Sequence, residues 1–232
     1  MSRRIDAVVD TTVILDIYSG TNIFVAAAAD DAKDLESRRL RTRDALLLAW
    51  HFHSYKWVTL SVRNEATEKV RDPNSPDDDH AQMSLRFLKD LMLSGWSDES
   101  QDEGETTGSA SDIQLVELAM TNRVPLFSSE GLRADGTINE KKGLRKKARA
   151  RGVEVTAPSK FLETTNIAAN TRAFLSRFDE VAPAFVASQN DSEATRNALL
   201  YRRAFLEFVL RGDLTLSRNL PDRPRWMLAS ST

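Results

Sequence analysis

The order in which short apolar runs alternate with helical sequence constrains this chain more than any other feature. Asp6–Asp10 is an apolar run closed by an acid and reads as a buried strand. Lys56–Val62, β-branched and aromatic, reads as a second strand, and Arg123–Phe127 and Val153–Thr156 as a third and fourth. Between them, spacing predicts helices over Asn22–Ala29, Glu36–Tyr55, a short stretch from Arg63, His80–Ser94, Asp112–Asn122 and Lys141–Arg151, the last ended by Gly152. The order β-α-α-β-α-α-α-β-α-β implies an α/β fold, a mainly parallel sheet with helices on both faces.

Two segments interrupt this pattern. Asp72–Asp79 is a turn-rich connection, and Ser97–Ser109 carries Asp98, Glu99, Asp102, Glu103 and Glu105 with almost nothing apolar, the composition of a solvated loop. Beyond Lys160 no further strand is predicted. One helix aligns Phe174, Phe178 and Phe185, and another aligns Ala198, Phe205 and Phe208 or Val209. Such faces need burial, on the sheet domain or on a second copy of the chain, so a homodimer is one expectation. The 232 residues divide into a sheet domain, 1–163, and a helical extension, 164–232. Pro221 and Pro224 suggest an irregular tail, anchored by Trp226.

The chain has no cysteine, which excludes thiolate metal sites, disulfides and cysteine nucleophiles together. A formal charge of −2 makes no overall case for a nucleic-acid partner, so local clusters must carry one. No signal-peptide h-region follows the start, and no run approaches the ~20 apolar residues of a membrane helix. A cytoplasmic protein without membrane contact is expected.

Four acids fall at comparable places in this pattern. Asp10 ends the first strand, Glu65 lies in the first turn of the helix after the second, Asp112 opens a helix, and Glu130 follows the third strand by two serines. In an open parallel sheet, ligands bind outside the carboxyl ends of the strands, where helix starts add positive dipole ends. Clustered carboxylates repel unless a cation compensates or one takes a proton. With His51, His53 and His80 outside the pattern, all ligands would be oxygens, which favours Mg²⁺ or Mn²⁺. Such a site suits phosphodiester hydrolysis.

Val9–Asp16 resembles the opening of PIN domains, and Leu60–Glu65 is similar to their strand-then-acid step. Ser111–Ala119 with Val124–Glu130 resembles their second half, and Ala148–Pro158 continues it, so the resemblance spans roughly residues 5–163. It implies a three-layer α/β sandwich and a metal-dependent endoribonuclease acting on single-stranded RNA. Asp10 and Asp112 would hold the main ion, while Glu65 and Glu130 complete the shell or position water. The family also implies, for its toxin–antitoxin members, a cognate inhibitor protein. It usually has aspartate where Glu130 stands, and its short toxins lack the helices after Lys160.

Blander readings compete at each position. Asp10 suits a turn cap, Glu65 a solvated helix face, and Ser111 with Gln114 a capping box around Asp112. Glu130 precedes Gly131 in a turn, Asp16 and Asp135 are nearby spare acids, and Ser128 stands where a hydroxyl would hold a carboxylate or water. Seven of the eleven residues 141–151 are basic and suit phosphate contact or a solvated face; Arg38, Arg39, Arg41 and Arg43 present the same choice. Two rival functions follow: a non-catalytic PIN-like module that binds RNA or protein, and a nuclease acting on DNA.

Overall fold

The structure, a computed structural model, describes residues 7–17, 32–51, 56–57, 59–70, 96–97, 109–133, 137–141, 143–189 and 192–212. The expected helices at Asn22–Ala29 and His80–Ser94, the Asp72–Asp79 turn, Asp135, most of the acidic stretch and the Trp226 tail lie outside those residues.

Five short strands form one parallel sheet. They are β1 (Ala7–Val9), β2 (Lys56–Trp57), β3 (Trp96–Ser97), β4 (Leu126–Phe127) and β5 (Val155–Thr156), in the order β3-β2-β1-β4-β5. Neighbours pair in parallel, with Val8 opposite Trp57 on one side and Leu126 on the other. All three residues of β1 are buried, as befits a central parallel strand covered on both faces. The ladder runs on past the strands: Asp10 N–H donates to the Phe127 carbonyl at 3.0 Å and Ser128 N–H to that of Thr156 at 3.2 Å.

Residues 11–17 form α1, followed by α2 (Ala32–His51), α3 (Leu60–Val70), α4 (Ser109–Asn122), α5 (Gly143–Ala150), α6 (Pro158–Leu162), α7 (Ile167–Ala187) and α8 (Ser192–Arg211). The fold is mixed α/β and mostly helical. Three expectations need correction. The second strand ends at Trp57 rather than Val62, because Thr59 Oγ1 accepts from Val62 N–H at 3.2 Å and starts α3 at Leu60. Glu65 therefore lies in the second turn of α3. The helix bearing Asp112 begins at Ser109, which places Ser111 inside it and removes Ser111 as the cap of a capping box; Asp112 stays in the first turn. Ser97, assigned to the acidic loop, pairs through β3 with β2. Two residues at a sheet edge are too few for a periodic signal.

In α2 the run 45–49 is buried at every position, all round the helix, because α6, α7 and α8 pack on it. Asn166 caps α7, its Oδ1 accepting from Ala169 N–H at 3.0 Å. Phe174, Phe178 and Phe185 of α7 and Phe205, Phe208 and Val209 of α8 join the same apolar core as β1 and β4. Trp50 meets Phe174 edge-on with ring centroids 5.9 Å apart, tying α2 to α7.

Candidate metal centre

The carboxyl ends of β1 and β4 are adjacent, and the chain leaves both in polar sequence. Asp10 follows β1 directly; Ser128, Ser129 and Glu130 follow β4. Their side chains interlock. Asp10 Oδ2 accepts from Thr12 Oγ1 and from Ser128 Oγ, each at 2.7 Å, and the two hydroxyls are 3.2 Å apart. Backbone donors fix those hydroxyls in turn: Ser129 N–H to Thr12 Oγ1 and Glu130 N–H to Ser128 Oγ, each at 3.0 Å. The Asp10 carboxylate is thereby held in one orientation at the end of a buried strand.

Glu65 reaches the same strand end through Thr11, whose Oγ1 donates to Oε2 at 2.7 Å. Asp112 comes from the first turn of α4, which packs on β1 and β4. Lys147 on α5 meets it, Nζ donating to Oδ2 at 2.5 Å. Glu130 sits over the start of α5, its Oε2 accepting from Leu144 N–H at 2.8 Å. Gly143 has φ +53°, a conformation that favours glycine, and a Cβ on it would displace the Glu130 carboxylate.

Burial pushes the Asp10 carboxyl above the usual aspartate range, opposed by the bonds from Ser128, Thr12 and the Thr11 backbone and assisted by the Asp112 charge. Burial also raises Glu130; the Leu144 bond opposes this, and the charges of Asp10 and Asp112 add to the rise. Asp10, Asp112 and Glu130 thus share one electrostatic field. Their donors are all hard oxygens, which fits Mg²⁺ or Mn²⁺ in chemistry. Yet no three acidic or histidine side chains converge as a ready ligand set among the described residues. The orientations seen serve Lys147 and the start of α5 instead.

Three contributors were not assigned roles from the sequence. Thr11 and Thr12 directly follow an acid that closes a strand; the Thr12 hydroxyl meets that carboxylate and the Thr11 hydroxyl meets Glu65. Arg145 reads as one more cation in a basic helix but is only 1% exposed. Its Nε donates to the Glu130 carbonyl at 2.8 Å, its Nη2 to that of Ser128 at 2.9 Å and its Nη1 to that of Val155 at 2.5 Å. It laces the turn carrying Ser128 and Glu130 to edge strand β5. No sequence signal separates it from its neighbours, because burial of one helix face is a tertiary event.

The basic runs divide accordingly. In α2, Arg39 donates to the Val209 carbonyl at 2.9 Å, Arg41 bonds buried Asp16 at 2.6 Å and Arg43 pairs with Asp44 at 2.8 Å, so these three serve the fold. Asp16 is thereby occupied as well. In and beside α5, Lys141, Lys146, Arg149 and Arg151 are exposed.

No family model matches the chain, and neither the curated proteins nor the solved structures searched contain a significant match. Among the described residues, no helix is long and apolar enough to cross a membrane.

Proposed function

We propose that this chain is a PIN-like, metal-dependent endoribonuclease of the cytosol, a three-layer α/β sandwich that hydrolyses phosphodiester bonds of single-stranded RNA. The observation that carries the reading is the shared field of Asp10, Asp112 and Glu130 at the carboxyl ends of adjacent parallel strands, where the first two raise the carboxyl of the third. Strand order β3-β2-β1-β4-β5, parallel throughout, supports the fold part of the proposal.

Asp10 and Asp112 would hold Mg²⁺ or Mn²⁺, with Glu65 and Glu130 completing the shell. The ion, when bound, supplies charge neutralisation for the phosphate and acidifies water. Thr12 and Ser128 hold Asp10 in one rotamer, so its position is set before anything binds. Glu130 commits Oε2 to Leu144 N–H, which leaves Oε1 to complete the shell or position the water. Exposed Lys146, Arg149 and Arg151 offer phosphate contacts along α5.

A second reading has an observation of its own. Asp112 and Glu130 already have partners in Lys147 and Leu144, as they would in a non-catalytic module that binds RNA or protein. Cleavage of end-labelled single-stranded RNA separates the two, with Mn²⁺, Mg²⁺ or EDTA and a single-stranded DNA of the same sequence alongside. We expect metal-dependent cleavage of RNA that falls by at least about 100-fold in Asp112→Asn, since loss of a ligand exceeds loss of a group behind it. Metal-insensitive RNA binding without cleavage would establish the binding module.

A further inference from the structure

Most cations of a basic helix face water or phosphate, but Lys147 points into the acids. Its ammonium donates to Asp112 Oδ2 at 2.5 Å, and the two side chains are 24% and 26% exposed. The same helix also brings its first free N–H groups to the cluster, through Leu144 to Glu130. Three carboxylates that raise or feel one another's charge are therefore answered by two positive elements of α5, a dipole end and a full charge.

The geometry points to Lys147 as an internal, displaceable counter-ion that competes with a divalent cation for Asp112. The inference rests on the metal-dependent reading above. A divalent ion drawing on Asp112 would lie within a few ångströms of the ammonium, where two positive charges repel strongly in a partly buried setting. The two cations compete for the same carboxylate, so binding of the ion weakens the Lys147 bond. The four-carbon stem of lysine lets the ammonium swing to solvent while α5 stays in place. Lys147 would then set the threshold of metal concentration at which the site loads, and its released charge would stand beside the other exposed cations of α5.

The test is calorimetric titration of the purified chain with MnCl₂, comparing wild type, Lys147→Gln and Lys147→Arg. We expect Lys147→Gln to bind Mn²⁺ at least about tenfold more tightly, and Lys147→Arg to stay within about threefold of wild type because the competing charge persists. A second measurement needs no variant: the ¹⁵N signal of the Lys147 ammonium, followed as wild type is titrated with Mg²⁺, should shift as Asp112 is given up. Equal affinity in wild type and Lys147→Gln, or an ammonium signal unmoved at saturating Mg²⁺, overturns the counter-ion role and leaves the metal site standing. Absence of binding to all three proteins overturns the metal site and the counter-ion together.

Discussion

In α7 and α8, Phe174, Phe178, Phe205 and Val209 are at most 1% exposed, while Asp179, Arg203 and Glu207 pair on the outside at 2.7–3.1 Å. The carboxyl ends of β1 and β4 reverse that arrangement: Asp10 is carried into the protein, two hydroxyls and two further carboxylates stand around it, and a buried guanidinium holds the turn beside it. Apolar burial dominates the first region, although Thr171 Oγ1 and Arg177 Nε are buried there without a hydrogen bond among the described residues. The second carries like charges and desolvated polar groups, each of which costs stability unless matched. Clustered, desolvated carboxylates of this kind mark a candidate site, and the contrast supports the proposal of one at the sheet.

Four substitutions break or sharpen this contrast. The largest loss of stability is expected from Phe178→Ala, about 3–5 kcal/mol by truncation of a buried ring, measured by urea denaturation. Because α7 shares its core with α2 and β1, one cooperative transition should move as a whole; two separate transitions would show that the helices are independent of the sheet. Arg145→Met should cost about 3 kcal/mol, since it removes the donor to three carbonyl oxygens. It should also disturb the Ser128–Glu130 turn, so cleavage should fall more than stability predicts. Full activity in that variant would separate the turn from the site.

Gly143→Ala is expected to cost about 2 kcal/mol, from a positive φ and from expulsion of the Glu130 carboxylate. The smallest effect has the opposite sign. Asp10→Asn should raise the melting temperature by about 2–4 °C at neutral pH, the shift that ~1 kcal/mol gives in a chain of this size. The sign follows from linkage. The folded-state carboxyl lies above its unfolded value, so the folded form binds the proton more tightly, and stability is lost as pH rises through the folded value. The advantage of Asp10→Asn should accordingly shrink as pH falls towards the ordinary aspartate range. An advantage that persists unchanged in acid would mean that the ionised carboxylate is not what costs stability.

The sequence by itself determined the parallel α/β plan and the place of the acids along it. Hydrophobic periodicity is a local property, so β1, the bodies of α4 and α5 and the aligned phenylalanines of α7 were legible without coordinates, whereas the start of α4 at Ser109 and the short α6 were not. Gly152 is a further case: it ends α5 with φ +71°, Val153 N–H reaching back to Ala148 at 2.9 Å, and only the chain's own conformational limits are involved. Tertiary structure alone decided what each charge does. Lys146 and Lys147 are adjacent and chemically identical, yet the first is exposed and the second bonds Asp112; Arg39, Arg41 and Arg43 look like an RNA-facing cluster and instead tie α2 to α8, α1 and Asp44. The same holds for the sheet edge, where β3 exists because its backbone meets β2 rather than because of its residues. Periodicity reports which face of an element is apolar, whereas the partners of Arg41, Lys147 and Arg39 lie 25 to 170 positions away and only folding brings them within hydrogen-bond reach.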